Sequence, residues 1–189
     1  KLLDGFMPHF SDLTIVCNGK LNDAGREKLL RYTSKLIVRE NKGFDVWAYK
    51  TALDSYGWHK LEQFDEIILF NATIMGPVYP FSEMFEAMSK RDLDFWGITK
   101  FHRVEHDPFG RSPYPYLPEH IQSHFHAYRK SLHTSQAFRD YWDSIPPIND
   151  YYDSVGLHES LFTKRFADKG FKWDVYVDTS DLEGFTYGP

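Results

Sequence analysis

Lys35-Leu36-Ile37-Val38-Arg39-Glu40-Asn41-Lys42-Gly43-Phe44-Asp45 holds the start of one β-to-α unit. Lys35–Val38 is a short apolar run that reads as a strand. The polar turn Arg39–Gly43 ends it, and Asp45 stands where an N-cap carboxylate begins a helix. Beyond Asp45 the chain keeps helical periodicity through about Tyr56, with Val46, Tyr49 and Leu53 on one face. Outward from this unit the rhythm repeats. Leu13–Cys17 is an apolar strand ended by Asn18-Gly19, followed by a helix of about ten residues. Asn22 or Asp23 caps that helix, and Leu29 and Leu30 are its expected buried stripe. Glu66–Phe70 is a third strand. Gly76-Pro77 and Pro80 then break the chain, and Ser82 is expected to cap a helix bearing Phe85 and Met88. Asp94–Thr99 reads as a fourth strand.

Strands alternating with helices predict an α/β fold: a three-layer, Rossmann-related, mostly parallel sheet with right-handed crossovers and helices on both faces. Residues 101–120 interrupt the pattern with Pro108, Pro113, Pro115 and Pro118 among Phe109, Tyr114 and Tyr116. A break of that length reads as an ordered connector or a flap. His120–Arg129 alternates like a strand. Thr134 or Ser135 opens a helix with Phe138, Trp142 and Ile145 on one side. Asp153–Lys169 is a further helix with Gly170 as its C′ residue. Trp173–Val177 is a closing strand, and the last residues read as a tail.

The chain has 189 residues, the size of one domain, and 42% are hydrophobic. A net charge of −5 without a Lys/Arg run excludes a nucleic-acid footprint. Cys17, the one cysteine, cannot form an internal disulfide and reads as a small core residue. No apolar stretch approaches the roughly 20 residues of a membrane span. No Gly-x-Ser-x-Gly elbow or Gly-rich phosphate loop supports a hydrolase or a P-loop enzyme.

In open parallel sheets, ligands bind beyond the carboxyl ends of the strands. That rule selects Asn18, Arg39 through Asp45, Asn71 through Pro77 and Lys100 through Arg103. Arg39 or Lys42 can neutralise phosphate charge. The helix start after Gly43 can offer N–H groups to a diphosphate. Asn41, Asp45, Asn71 and Thr73 can read hydroxyls.

Several stretches at these positions resemble the rhamnan synthesis protein F family. They are Arg39-Glu40-Asn41-Lys42-Gly43-Phe44-Asp45, then Asp65–Asn71 with Gly76-Pro77, then Asp94-Phe95-Trp96-Gly97-Ile98-Thr99, and His120-Ile121-Gln122-Ser123-His124-Phe125. They fall in order across about Leu13 to Val177. The resemblance implies a GT-A-like glycosyltransferase domain. It would build rhamnan or lipopolysaccharide-type glycan from a nucleotide-sugar donor such as dTDP-L-rhamnose, with a glycan or lipid-linked glycan as acceptor. It also implies a cytoplasmic site of action, peripheral at the inner face of the plasma membrane. Donor-binding residues carried over are Arg39, Asn41, Gly43, Asp45, Asn71, Thr73, Gly76, Trp96 and Gln122.

Two departures accompany the resemblance. GT-A enzymes place an acidic motif after the third strand to hold Mg²⁺ or Mn²⁺. Here the motif is Asn71-Ala72-Thr73, which leaves Asn71 and Thr73 as metal ligands and Ala72 without an oxygen. The family also has an apolar strand ahead of the one at Leu13, contributing to the nucleotide pocket. Only Lys1–Phe10 stands there, so residues 1–189 are read as one domain lacking its first strand.

For inverting transfer, a carboxylate or His must take the acceptor proton. Glu159 is the first candidate, on the resemblance, and also reads as a solvated helix residue. Asp153 is a second candidate and also a helix cap. His124 and His126, at i and i+2 on one strand, read as structural more readily than as metal ligands with His120 or His102. A sugar transferase is thus the leading expectation. A non-catalytic nucleotide-sugar-binding or docking domain, with its metal motif lost at Ala72, is the alternative.

Overall fold

The structure, a computed structural model, describes residues 1–181. The tail expected at the end of the chain falls mostly on residues 182–189, outside the described residues. In chain order the elements are α1 (Leu2–Phe6, continued by a 3₁₀ turn Met7–His9), β1 (Thr14–Asn18), α2 (Asp23–Leu30), β2 (Lys35–Arg39), α3 (Phe44–Tyr56) and α4 (Trp58–Leu61). Next come β3 (Glu66–Phe70), α5 (Phe81–Ser89), β4 (Phe95–Gly97), β5 (Lys100–Phe101), β6 (His120–Ile121) and β7 (Phe125–Arg129). The chain then runs through α6 (Lys130–His133), α7 (Gln136–Asp143), α8 (Tyr151–Asp153), a π turn Ser154–Glu159, α9 (Ser160–Ala167) and β8 (Trp173–Val175).

The fold is α/β, but its sheets are small and mixed rather than mostly parallel. β1 and β2 pair in parallel, with Val16 opposite Ile37. A four-stranded sheet runs β3-β7-β4-β8. β7 is antiparallel to both β3 and β4, and only β4–β8 is parallel within it. The reversal follows from the connector between β4 and β7. After β4 the chain leaves through β5 and returns through β6, which pairs antiparallel to β5. It therefore enters β7 from the opposite direction. The single strand expected over His120–Arg129 is two, broken at Gln122–His124.

Pleating sorts the apolar residues of this sheet into two cores. Ile67, Leu69, Phe95 and Tyr128 pack with Val46, Leu53, Phe138, Trp142, Phe162 and Phe166 from α3, α7 and α9. Trp96, Phe125 and Ala127 face the other way, against Phe6 of α1 and Met84 and Met88 of α5. Gly97 lies where β4 crosses the β6–β7 corner. A Cβ there would stand 2.0 Å from Ile121 Cγ2 and 3.1 Å from the Phe125 carbonyl. Gly97→Ala is expected to cost about 3 kcal/mol, as overpacking of a tight core does, read as a lower urea midpoint at unchanged slope.

Caps also differ from expectation in places. Asn22 and Ser135 cap α2 and α7 through their side chains, as expected of them. The N-cap of α3 is Gly43 rather than Asp45, and that of α5 is Pro80 rather than Ser82. In both cases the helix begins earlier than the polar residue. Leu29 is only half-buried and Leu30 is exposed, because α2 packs little of its surface. The excursion 101–120 is an ordered connector. Val104 bridges Leu117, the Arg103 guanidinium stacks 3.7 Å from the Tyr116 ring, and Asp107 accepts from Phe109 N and Ser112 N.

Candidate functional site

The polar tips after β1, β2 and β3 converge at the start of α3. Arg39 donates to Asn18 Oδ1 at 2.7 Å and to the Lys42 carbonyl at 2.7 Å, tying two tips together. Asn18 Nδ2 in turn donates to the Phe44 carbonyl at 2.8 Å. The turn depends on left-handed backbone. Gly43 has φ +77, and a Cβ on it would lie 2.3 Å from Trp47 Cδ1. Phe44, a bulky residue, follows at φ +54. Backbone strain of this kind, roughly 1–2 kcal/mol, concentrates at functional sites.

At the same corner, Asn71 Nδ2 donates to Asp45 Oδ2 at 2.9 Å, and Asn71 Oδ1 accepts from Thr73 N at 3.0 Å. The other Asp45 oxygen accepts from Val46 N at 3.0 Å. That carboxylate therefore occupies the first turn of α3, where sequence reading expected a diphosphate. It suits the positive end of the helix dipole. Tyr49, one turn further along α3, donates from Oη to the Ser123 carbonyl at 3.1 Å and lies within reach of Asn71. Ser123 N donates to Glu159 Oε1 at 2.9 Å.

Glu159 thus joins a cluster with Asp45, Tyr49, Asn71 and Ser123. Burial, chiefly, holds its carboxyl above the usual range, and the charge on Asp45 adds to the shift. The Tyr49 phenol is pushed well up by burial and then by Asp45 and Glu159. Glu159 is aimed inward by the π turn Ser154–Glu159, which rotates the helix by an extra residue before α9. At Gly156 in that turn, a Cβ would stand 2.6 Å from Arg111 Cβ, so the absence of a side chain lets the 101–120 connector close over it.

The predicted site residues thus divide. Asp45, Asn71 and Glu159 meet in one cluster, with Gly43 shaping its turn and Thr73 bonded to Asn71. Asn41 is exposed on the same turn. Gln122 accepts from Thr99 Oγ1 at 2.8 Å beside Ser123, and Gly76 sits in the loop beyond Thr73, before a cis Pro77. Trp96 goes elsewhere. It is 1% exposed in the core, with Nε1 donating to Glu66, so it does not face a ligand. Arg39 spends its guanidinium on Asn18 and Lys42. Asp153 is buried, and Arg111 Nε donates to it at 2.9 Å. The Arg111 bond holds its carboxyl below the usual range, and Asp150, not Asp153, caps α8. Asp153 pins the connector in place. The sequence does not mark Tyr49 and Ser123 as site residues. Tyr49 reads as an ordinary core position, and only its hydroxyl distinguishes it.

The donor set at Asn71 and Thr73 does not fit a divalent cation. Asn71 Oδ1 is taken by Thr73, its amide nitrogen faces Asp45, and Ala72 has no oxygen to give. Among the described residues, no three His, Cys, Asp or Glu side chains group as metal ligands. His124 contacts Thr99 Oγ1 at 3.3 Å, and His126 is buried against Tyr128 Oη.

Comparison with known proteins adds the following. The family model described as rhamnan synthesis protein F matches residues 13–189. A protein of Sinorhizobium fredii described as uncharacterized protein y4gN is 24% identical over 159 residues, covering 84% of this chain. The chain spans 39% of that relative's length. No solved structure matches.

Proposed function

Since the chain belongs to the rhamnan synthesis protein F family, and so has a part in rhamnan polysaccharide synthesis, we propose that the crevice between Asp45, Asn71 and Glu159 transfers a sugar from a nucleotide donor to a glycan hydroxyl. One observation carries the reading: a half-buried carboxylate with its proton affinity raised lies at the strand tips, among groups that bond hydroxyls. Asp45 and Asn71 would hold the donor's hydroxyls, and Glu159 would take the acceptor's proton. The acceptor oxygen then bonds the anomeric carbon, the carbon–oxygen bond to phosphate breaks, and the nucleoside diphosphate leaves with that electron pair. L-Rhamnose, carried as dTDP-L-rhamnose, is the donor sugar this reading favours, at the cytoplasmic face of the membrane. No step is routed through Mg²⁺ or Mn²⁺.

Titration calorimetry with dTDP-L-rhamnose, followed by a transfer assay with a rhamnan oligosaccharide, tests the proposal. Asp45→Ala removes a charged hydrogen-bond acceptor and leaves the Asn71 amide unpaired. It is expected to weaken donor binding about 10- to 100-fold, from roughly 1.5–3 kcal/mol. Absence of both binding and turnover in the unaltered chain would remove the reading. Binding without turnover would favour a second one, a non-catalytic nucleotide-sugar-binding domain, which the Asn71-Ala72-Thr73 tip supports.

A further inference from the structure

Three aromatic rings meet at the surface where the 101–120 connector crosses α8. Tyr151 and Tyr152 open that helix and stay 62% and 53% exposed. Phe109, half-buried in the connector, lies 6.4 Å from the first ring and 6.1 Å from the second, and the two tyrosines stand 6.1 Å apart. The planes are steeply inclined to one another, at 64° to 76°, so the cluster is faceted rather than flat. Its mount is fixed by polar bonds. Asp150 caps α8 by accepting from Asp153 N at 2.8 Å. Asp153 Oδ1 accepts from Arg111 Nε at 2.9 Å, and Oδ2 from Asn149 N at 3.1 Å. At Gly156 a Cβ would stand 2.6 Å from Arg111 Cβ and 3.1 Å from Phe109 Cβ, so only glycine admits both stems. Rigid tyrosines held in place before binding offer large contact area at low entropic cost.

We infer that Phe109, Tyr151 and Tyr152 form a cradle for the acceptor glycan, holding its chain a short oligosaccharide's length from the transfer point. The choice of an acceptor rests on the sugar-transfer reading above. Position supports it. Trp47, in the first turn of α3, donates from Nε1 to the Pro146 carbonyl at 3.2 Å, which anchors the segment leading into α8 beside Asp45. From Tyr151 the chain runs on through the π turn to Glu159, roughly 10 Å along the axis. Chemistry supports it too. A sugar ring presents apolar C–H patches rimmed by hydroxyls. Aromatic faces cover the first, and phenol hydroxyls, which donate and accept, bond the second. Charge argues against an anionic lipid surface: Arg111 is spent on Asp153, and the carboxylate-bearing Asp150 is exposed beside the rings.

Titration of rhamnan oligosaccharides of increasing length, with no donor present, tests the cradle. Affinity is expected to rise with length once the chain reaches from the crevice to the rings. The double variant Tyr151→Ala, Tyr152→Ala is expected to lose that gain, with Kd for the longer chains raised about 10-fold or more. Affinity for dTDP-L-rhamnose, held at Asp45 and Asn71, and the melting temperature are expected to stay the same, since both tyrosines are exposed. Tyr152→Phe, which keeps the ring face, is expected to retain most of the gain. Glycan binding that depends on the rings, in a protein that transfers no sugar, would keep the cradle and remove the transferase reading. Equal affinity of the double variant and the unaltered protein for the longer chains overturns the cradle, as does no glycan binding by the unaltered protein. So does a dimer in sedimentation that the double variant abolishes while glycan binding is untouched, since a second copy would then be the occupant.

Discussion

Glu159→Gln is expected to lower sugar transfer about 10²- to 10⁴-fold, the usual contribution of a positioned general base, with no loss of stability. The amide oxygen of glutamine still accepts from Ser123 N, so the corner between β6 and β7 keeps its bond. Burial raises the folded-state affinity of Glu159 for its proton above the unfolded value. Such a group favours the folded state at low pH. It loses that contribution as pH rises from the unfolded value through the raised one, so at neutral pH the ionised carboxylate is a cost. Glutamine removes it, and the melting temperature should stay the same or rise. Donor affinity should change little, because Asp45 and Asn71 are untouched. In the unaltered protein, turnover should fall on acidification with a midpoint above the ordinary carboxylate range of about 4.3. The variant's residual rate should lack that limb. A Glu159→Gln protein with full turnover would take the base role from this residue.

Acid should destabilise the fold well before ordinary carboxylates titrate. His126 and His158 are each about 2% exposed, and burial drops both to about 3 from an ordinary 6.5. His158 also feels the positive charge of Arg165 and bonds Tyr141 Oη. The folded protein keeps both rings neutral while the unfolded chain protonates them. Their contribution is therefore complete above pH 6.5 and is lost as pH falls toward 3. Each pH unit in that window costs up to about 1.4 kcal/mol per histidine. At pH 5 the two together approach about 4 kcal/mol, a large part of a domain's usual 5–15 kcal/mol. His120 and His133, also lowered by burial, act in the same direction. Glu66 and Glu159, whose carboxyls burial raises, act against it. Urea titrations at pH 7, 6 and 5 should show falling midpoints at constant slope. The gradient should approach two extra protons bound on unfolding. Stability independent of pH across this range would mean the rings are protonated, or hydrated, in the folded state.

Much of the site was legible from strand ends alone. Asn18, Asp45 and Asn71 follow apolar runs, and the tips of neighbouring strands must gather on one side of a sheet. Glu159 came from resemblance, because a glutamate inside a long helix looks like any solvated residue until a π turn aims it inward. The cap of α3 was misplaced for a reason of backbone geometry. Gly43 can take φ +77 and start the helix two residues early, which frees Asp45 for Asn71. Trp96 read as a pocket residue, but strand alternation sends it to the opposite face from Phe95.

By itself, the sequence determined most of the strands, where their polar tips fall, and the family to which the chain belongs. Those features are local, set by hydrophobic runs, turn residues and short ordered motifs. Only the tertiary structure decided the direction of β7, the bond of Arg111 to Asp153, and the approach of Glu159 to Asp45. Each depends on groups far apart in the chain. Strand direction follows from how a distant connector returns, and a buried carboxylate's role follows from which cation reaches it.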